Sequence, residues 1–146
     1  MHGGLHDLGK VGVSAALLAK PGPLTDDERR SVERHATIGF RLLARARAPL
    51  LRTAARVARD HHEWWNGRGY PRGRSGDAIH PCARIVAIAD VYDALTSPRP
   101  YRGALAPEDA IRIMRDGRGT QFDPLFFDAF LEAWSLCASR APCRDG

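Results

Sequence analysis

Six residues of the types that hold a cation lie in four separate segments: His6 and Asp7, His35, His61 and His62, and Asp90. Imidazole nitrogen and carboxylate oxygen together suit Zn, Fe, Mn or Ni. Neighbouring histidines on a helix point roughly 100° apart, so His61 and His62 can each serve a different ion of a close pair. A carboxylate such as Asp7 can bridge two cations. The set therefore fits a dinuclear site, which activates a bridging water and clamps a phosphoryl group for in-line attack. Asp7 is one candidate catalytic residue. Lys10 is the other: it follows His6 by four residues and Asp7 by three, and a lysine beside such a pair holds a phosphate. Each group also has a plainer reading. His61 and His62 can be solvated at a helix end, and His6, Asp7 and Lys10 can be a surface cluster. For Asp90 the metal is the better reading, because an unpartnered carboxylate in so apolar a helix is costly. Asp93, one turn later, reads as a cap or a bond to a nearby loop. No cysteine joins the set, which argues against a structural zinc. No serine-centred triad and no phosphate-binding glycine loop is visible.

The elements that must position these groups read as helices. Residues 5–10 look like a helix end, with Gly9 and then Gly12 stopping it. Residues 14–18 form a short helical turn and 20–23 a loop. Thr25 followed by Glu28 is a capping box, with Asp26 and Asp27 favourable in the first turn. The helix it opens runs to about Arg45, with Val32, His35, Ile38, Gly39, Leu42 and Leu43 on one inward stripe. Pro49 starts a helix ending near His62. Residues 63–79 form a long glycine-rich loop. Pro81 opens a helix to Thr96, apolar nearly all round and so expected to be central. Pro107 and Pro124 open two more, to about Asp116 and Cys137. No useful stretch alternates with period two. The expectation is an all-α chain with one domain over 1–138, a frayed tail over 139–146 and no repeats.

With 146 residues, 44% hydrophobic and 27% charged, the chain has the balance of a soluble globular protein with one core. No signal peptide or transmembrane-length segment is apparent, and no membrane partner is expected. The three cysteines form no CxxC pair, which points to reduced, intracellular thiols, with Cys82 a buried filler. The net charge is +5, and 20 of the 22 basic residues are Arg. They are spread through helical segments. Arg52, Arg56 and Arg59 recur at helical spacing as a solvated face, and no nucleic-acid polymer is expected as a partner.

These pieces together resemble the HD-GYP domain, a subgroup of the HD metal-dependent phosphohydrolases. The matching segments are LHDLGKVGV (5–13), LLAKPGPLT (17–25), His35 with Ile38 and Gly39, and HHEWWNGRGYPRG (61–73). They continue with ARIVAIADVYDALTSPRPYR (83–102) and GTQFDP (119–124), in family order and at family spacing. The resemblance implies an all-helical, HD-domain-like bundle with a long GYP loop. It implies a site of two or three divalent ions, iron or manganese, held by His6, Asp7, His35, His61, His62 and Asp90. It implies a bacterial, cytoplasmic signalling enzyme that hydrolyses cyclic di-GMP to the linear dinucleotide or on to GMP. Lys10 would contact the substrate phosphate, and Arg99 and Arg102 would be basic residues near the ligand. Gly69, Tyr70 and Pro71 would form the family loop, a surface for a diguanylate cyclase domain, and a homo-oligomer is a further expectation. Three features depart from the family pattern. The helix that usually precedes the HD pair and supplies a further ligand is expected to be missing, and His2 is too close to His6 to replace it. Ser14-Ala15 stands where Pro-Asp is frequent, and Asn66 where Asp is common. The alternative function is a catalytically weak or inactive module that binds the dinucleotide or a diguanylate cyclase.

Overall fold

Thr25 sets the start of the longest helix. Its hydroxyl accepts from the Glu28 backbone N–H at 3.3 Å, and the Glu28 carboxylate accepts from the Thr25 N–H at 2.8 Å. This reciprocal cap satisfies two of the helix's otherwise orphaned donors. The computed structural model describes residues 4–98 and 103–140. It is helical, with α1 (Ala15–Leu18), α2 (Asp26–Leu43), α3 (Pro49–Asp60), α4 (Pro81–Thr96), α5 (Pro107–Arg115) and α6 (Pro124–Arg140). Proline opens α3, α4, α5 and α6, where its missing N–H would have no helical partner anyway. No strand occurs among the described residues; there are two isolated bridges, Asn66 with Ser75 and Arg118 with Phe122. The all-helical expectation holds.

The first element differs from the sequence reading. Residues Leu5–Gly12 form a 3-10 helix that runs straight through Gly9. Gly9 is a contact point, not a stop: a Cβ there would sit 1.9 Å from the His35 carbonyl oxygen and 2.5 Å from the Gly39 nitrogen. The 3-10 helix packs chiefly on α2 and also on α3, and α2 packs against α3. Leu43, Ala55 and Ala58 are the buried centre of this half, with Leu8, Phe40, Leu51 and Ala54 around them. A second core joins α4, α5 and α6 through Ile88, Met114, Phe122 and Phe127.

Several local expectations are corrected. Helix α2 stops at Leu43, and Leu42 leaves the inward stripe, being 52% exposed. Arg59 is not solvated: its guanidinium lies 4.6 Å from the Phe40 ring centre and pairs with Asp60. Cys82 is exposed, not a buried filler. Helix α4 is central on one side only. Ile85 is half exposed, and Ile85, Ile88 and Ala89 line an open apolar groove with Phe126, Ala129 and Phe130. The glycine-rich loop contains a 3-10 turn (Gly76–Ala78) and buries Ile79.

The loop after α3 is fastened at several points. Its Trp65 and Asn66 N–H groups donate to the Gln121 and Thr120 carbonyls, and the Tyr70 N–H donates to the His62 carbonyl. Glu63 is buried, and its two oxygens accept the Arg72 and Arg74 backbone N–H groups at 2.8 and 2.9 Å. Gly69 is required by close approach, since a Cβ there would lie 2.3 Å from the Trp64 nitrogen.

Candidate metal centre

The four segments singled out in the sequence meet. The 3-10 helix brings His6, Asp7 and Lys10; α2 brings His35; the end of α3 brings His61 and His62; and α4 brings Asp90. Asp7 lies between them. Its Oδ1 is 3.6 Å from His35 Nε2 and 4.0 Å from His61 Nε2, while its Oδ2 is 3.7 Å from His6 Nε2 and accepts from Lys10 Nζ. His6 Nε2 is also 3.6 Å from Asp90 Oδ1. Nitrogens of His35, His61 and His62 all lie within 4.8 Å of one another. Asp93 stays outside the site: it is exposed and accepts from the Ser97 hydroxyl at 3.0 Å.

The ring tautomers follow from backbone contacts. His35 Nδ1 donates to the Val32 carbonyl at 2.7 Å, and His61 Nδ1 donates to the Ala58 carbonyl at 3.0 Å. Each ring therefore presents an unprotonated Nε2, and these two nitrogens face each other at 3.5 Å. Two converging lone pairs with a carboxylate oxygen beside them repel unless a cation lies among them. The residues present thus fit a divalent ion, with the outer ring nitrogens oriented as metal-binding histidines usually are.

Electrostatics point the same way. Burial pushes the His61 imidazole down to about 4 and His62 down to about 2, with neighbouring His charge adding to the effect. Burial also lowers His35. These rings are neutral at physiological pH and available as ligands. His6 is raised, chiefly by the Asp90 carboxylate, and Asp90 is held down at about 2, chiefly by His6.

The Tyr70 ring stacks on His62, with centroids 4.7 Å apart and planes 29° apart, so one member of the family loop forms a wall of the site. Sequence reasoning passed over Glu63 and Asp60. Both are buried carboxylates beside the histidine pair, yet both are occupied elsewhere: Glu63 by loop amides and Asp60 by Arg59. Nothing in residue type or spacing separates a carboxylate that anchors a loop from one that binds metal. Arg99 and Arg102 lie outside the described residues.

A family model described as "HD domain" matches residues 2–125. Among curated proteins, the chain is 45% identical over 133 residues to a probable cyclic di-GMP phosphodiesterase of Vibrio cholerae, covering 87% of this chain and 30% of that protein. It is 43% identical over 128 residues to a cyclic di-GMP phosphodiesterase of Thermotoga maritima, covering 88% and 35%. It is also 45% identical over 132 residues to a 3'3'-cGAMP-specific phosphodiesterase of Vibrio cholerae, covering 90% and 28%. The chain thus spans about a third of the length of these relatives. In fold it is similar to a crystal structure of a cyclic GMP-AMP-specific phosphodiesterase of Vibrio cholerae. The TM-score is 0.67 at 20% identity, over 94% of this chain and 38% of that one.

Proposed function

This chain belongs to the HD domain family, and from that premise we propose that it is the hydrolytic domain of a cyclic-dinucleotide phosphodiesterase acting on cyclic di-GMP. The observation that carries this reading is the division of Asp7 between two donor sets, with His35 and His61 facing one oxygen and His6 and Lys10 the other. His35, His61 and His62 would hold one ion, His6 and Asp90 a second, and Asp7 would be shared. Two divalent ions, iron or manganese by resemblance to the family, supply a water acidic enough to attack at neutral pH and positive charge against the phosphodiester.

The chain's own residues do the rest. The Val32 and Ala58 carbonyls fix the ring tautomers, so the ligand lone pairs point inward before any ion arrives. Lys10, 44% exposed, offsets the Asp7 charge and presents an ammonium to an incoming phosphate. Tyr70 closes the site beside His62, while Pro71 and Arg72 remain exposed for contact with a partner such as a diguanylate cyclase domain. Arg99 and Arg102 are proposed to add positive charge for the dinucleotide. Relatives named for cyclic di-GMP and for 3'3'-cGAMP are both 45% identical, so overall identity does not choose between the purines. The product is the linear dinucleotide or GMP, and the reaction belongs in the bacterial cytoplasm, where such a messenger acts.

The test is hydrolysis by the chain loaded anaerobically with Fe(II) or Mn(II), with cyclic di-GMP and 3'3'-cGAMP compared side by side. Turnover of cyclic di-GMP with about two ions bound is expected, as for dinuclear hydrolases. Full metal content without turnover of either dinucleotide overturns the reading. Lys10→Ala is expected to keep the ions and weaken dinucleotide binding; lost ions with unchanged affinity would reverse its role.

A further inference from the structure

Seven of the chain's 20 arginines, and none of its 17 acidic residues, fall between positions 34 and 59. That segment therefore carries +7, and the rest of the chain is net −2. The charge is not diffuse; it belongs to the helical hairpin of α2 and α3. Of these seven arginines only Arg59 forms an ion pair among the described residues. Arg34, Arg41, Arg45, Arg47, Arg52 and Arg56 are all exposed.

Their positions make one surface. Arg34, Arg41 and Arg45 stand at helical spacing along the outer face of α2 and just past its end. Arg52, Arg56 and Arg59 form a column on α3. Arg59 lies over Phe40 of α2, so the end of that column nearest Asp60 packs against the flank of α2. Between the helices, the tip carries Arg45 and Arg47. From Ile38 to Arg52 every side chain is apolar or arginine. At this end Leu42 is 52% exposed and Leu50 is 76% exposed. The tip is about 18 Å along α3 from His61, so anything seated there leaves the metal centre clear.

We infer that the α2–α3 corner docks on an anionic lipid surface, with the arginines meeting headgroup charge and Leu42 and Leu50 entering the interface. The composition favours lipid over other polyanions. A nucleic acid would meet no exposed aromatic for base stacking here, because Phe40 lies under Arg59. An acidic protein would meet no polar side chain other than arginine to fix its register. A tip of exposed cations and aliphatic side chains matches a charged, apolar-backed surface. No helix among the described residues is long and apolar enough to cross a bilayer.

The experiment is co-sedimentation of the full chain with phosphatidylcholine vesicles and with vesicles containing 30% phosphatidylglycerol as a stated probe, at low and physiological salt. Binding is expected only to the anionic vesicles and should weaken with salt. Arg45→Gln with Arg47→Gln should lower the partition by about fivefold per arginine, equivalent to about 1 kcal/mol each. Leu42→Ser with Leu50→Ser, which leaves the charge unchanged, should lower it by about tenfold. Arg112→Gln with Arg115→Gln, on α5, should leave it within about twofold. Circular dichroism and thermal melting confirm that each variant folds. Failure of the wild-type chain to bind anionic vesicles overturns the inference. So does equal loss in the α5 variant, or binding to duplex DNA or polyglutamate that the arginine pair controls and the leucine pair does not.

Discussion

Asp7 and Asp93 are both carboxylates on helical elements near the histidines, and the structure separates them by what each oxygen faces. Asp7 has imidazole nitrogens on both sides at 3.6 to 4.0 Å, whereas Asp93 faces solvent and one serine. Asp7→Asn removes the charge shared by both donor sets. It is expected to lose at least half of the bound metal and at least about 100-fold in hydrolysis, since even partners beyond the ligands cost 10–100-fold. Asp93→Asn should stay within about twofold of wild type in both respects. Elemental analysis and steady-state rates on the same preparations decide this; equal losses would remove Asp7 from the ligand set. At this scale the candidate ligand types were legible in the sequence, but the role of Glu63 was not. Its carboxylate is buried beside the candidate ligands and committed to two backbone amides.

The elements hold these residues through contacts that tolerate little change. Gly9 lets the 3-10 helix touch α2 where His35 leaves its backbone carbonyl. Gly9→Ala would force the two elements apart. It is expected to destabilise by about 3 kcal/mol, the upper end for overpacking, and to weaken metal retention because Asp7 moves away from His35. Gly103→Ala meets open space and should be near neutral, which makes it the matched control in urea denaturation. Glu63→Gln tests the loop. One of the two amides facing the carboxylate would meet an NH2 group instead of an acceptor, so a loss of about 2 kcal/mol is expected. Because the same loop carries Tyr70 onto His62, metal affinity should fall with it. A variant as stable as wild type would show that the loop is held by its contacts with Thr120 and Gln121 alone.

For the molecule as a whole, the neutral histidines make stability depend on pH. In the metal-free chain His61 is depressed from 6.5 to about 4 and His62 to about 2, both by burial, and His35 is lowered as well. An unfolded chain takes up protons on these rings below pH 6.5, while the folded chain does not until it reaches the lower values. For His61 and His62 stability therefore falls as pH drops from about 6.5 to 4, by about 1 kcal/mol per pH unit for each ring, and the lowered His35 acts in the same direction. His6 acts in the opposite sense: its raised value adds stability below 6.5 that is lost as pH rises through the folded value. With four rings lowered, His80 among them, against one raised, the melting temperature of chelator-treated protein should decline from pH 7 to pH 4. A flat or rising profile would show that the rings are not held neutral.

The sequence by itself determined what depends on neighbours three or four residues apart. The Thr25–Glu28 cap, the proline-led starts of α3, α4, α5 and α6, and the all-helical class are of that kind. It also named all six ligand candidates, because their types and order are themselves the signal. The tertiary structure alone decided which lone pairs converge, since the tautomers of His35 and His61 are set by carbonyls in the turn before each ring and their meeting by the packing of α2 on α3. It decided that Asp7 is divided between two donor sets, that Gly9 is a contact and not a stop, and that Leu42 and Cys82 are uncovered. Exposure is not a local property. Whether an apolar residue on a helix is buried depends on which distant element lies across it, and residue spacing along one helix carries no record of that neighbour.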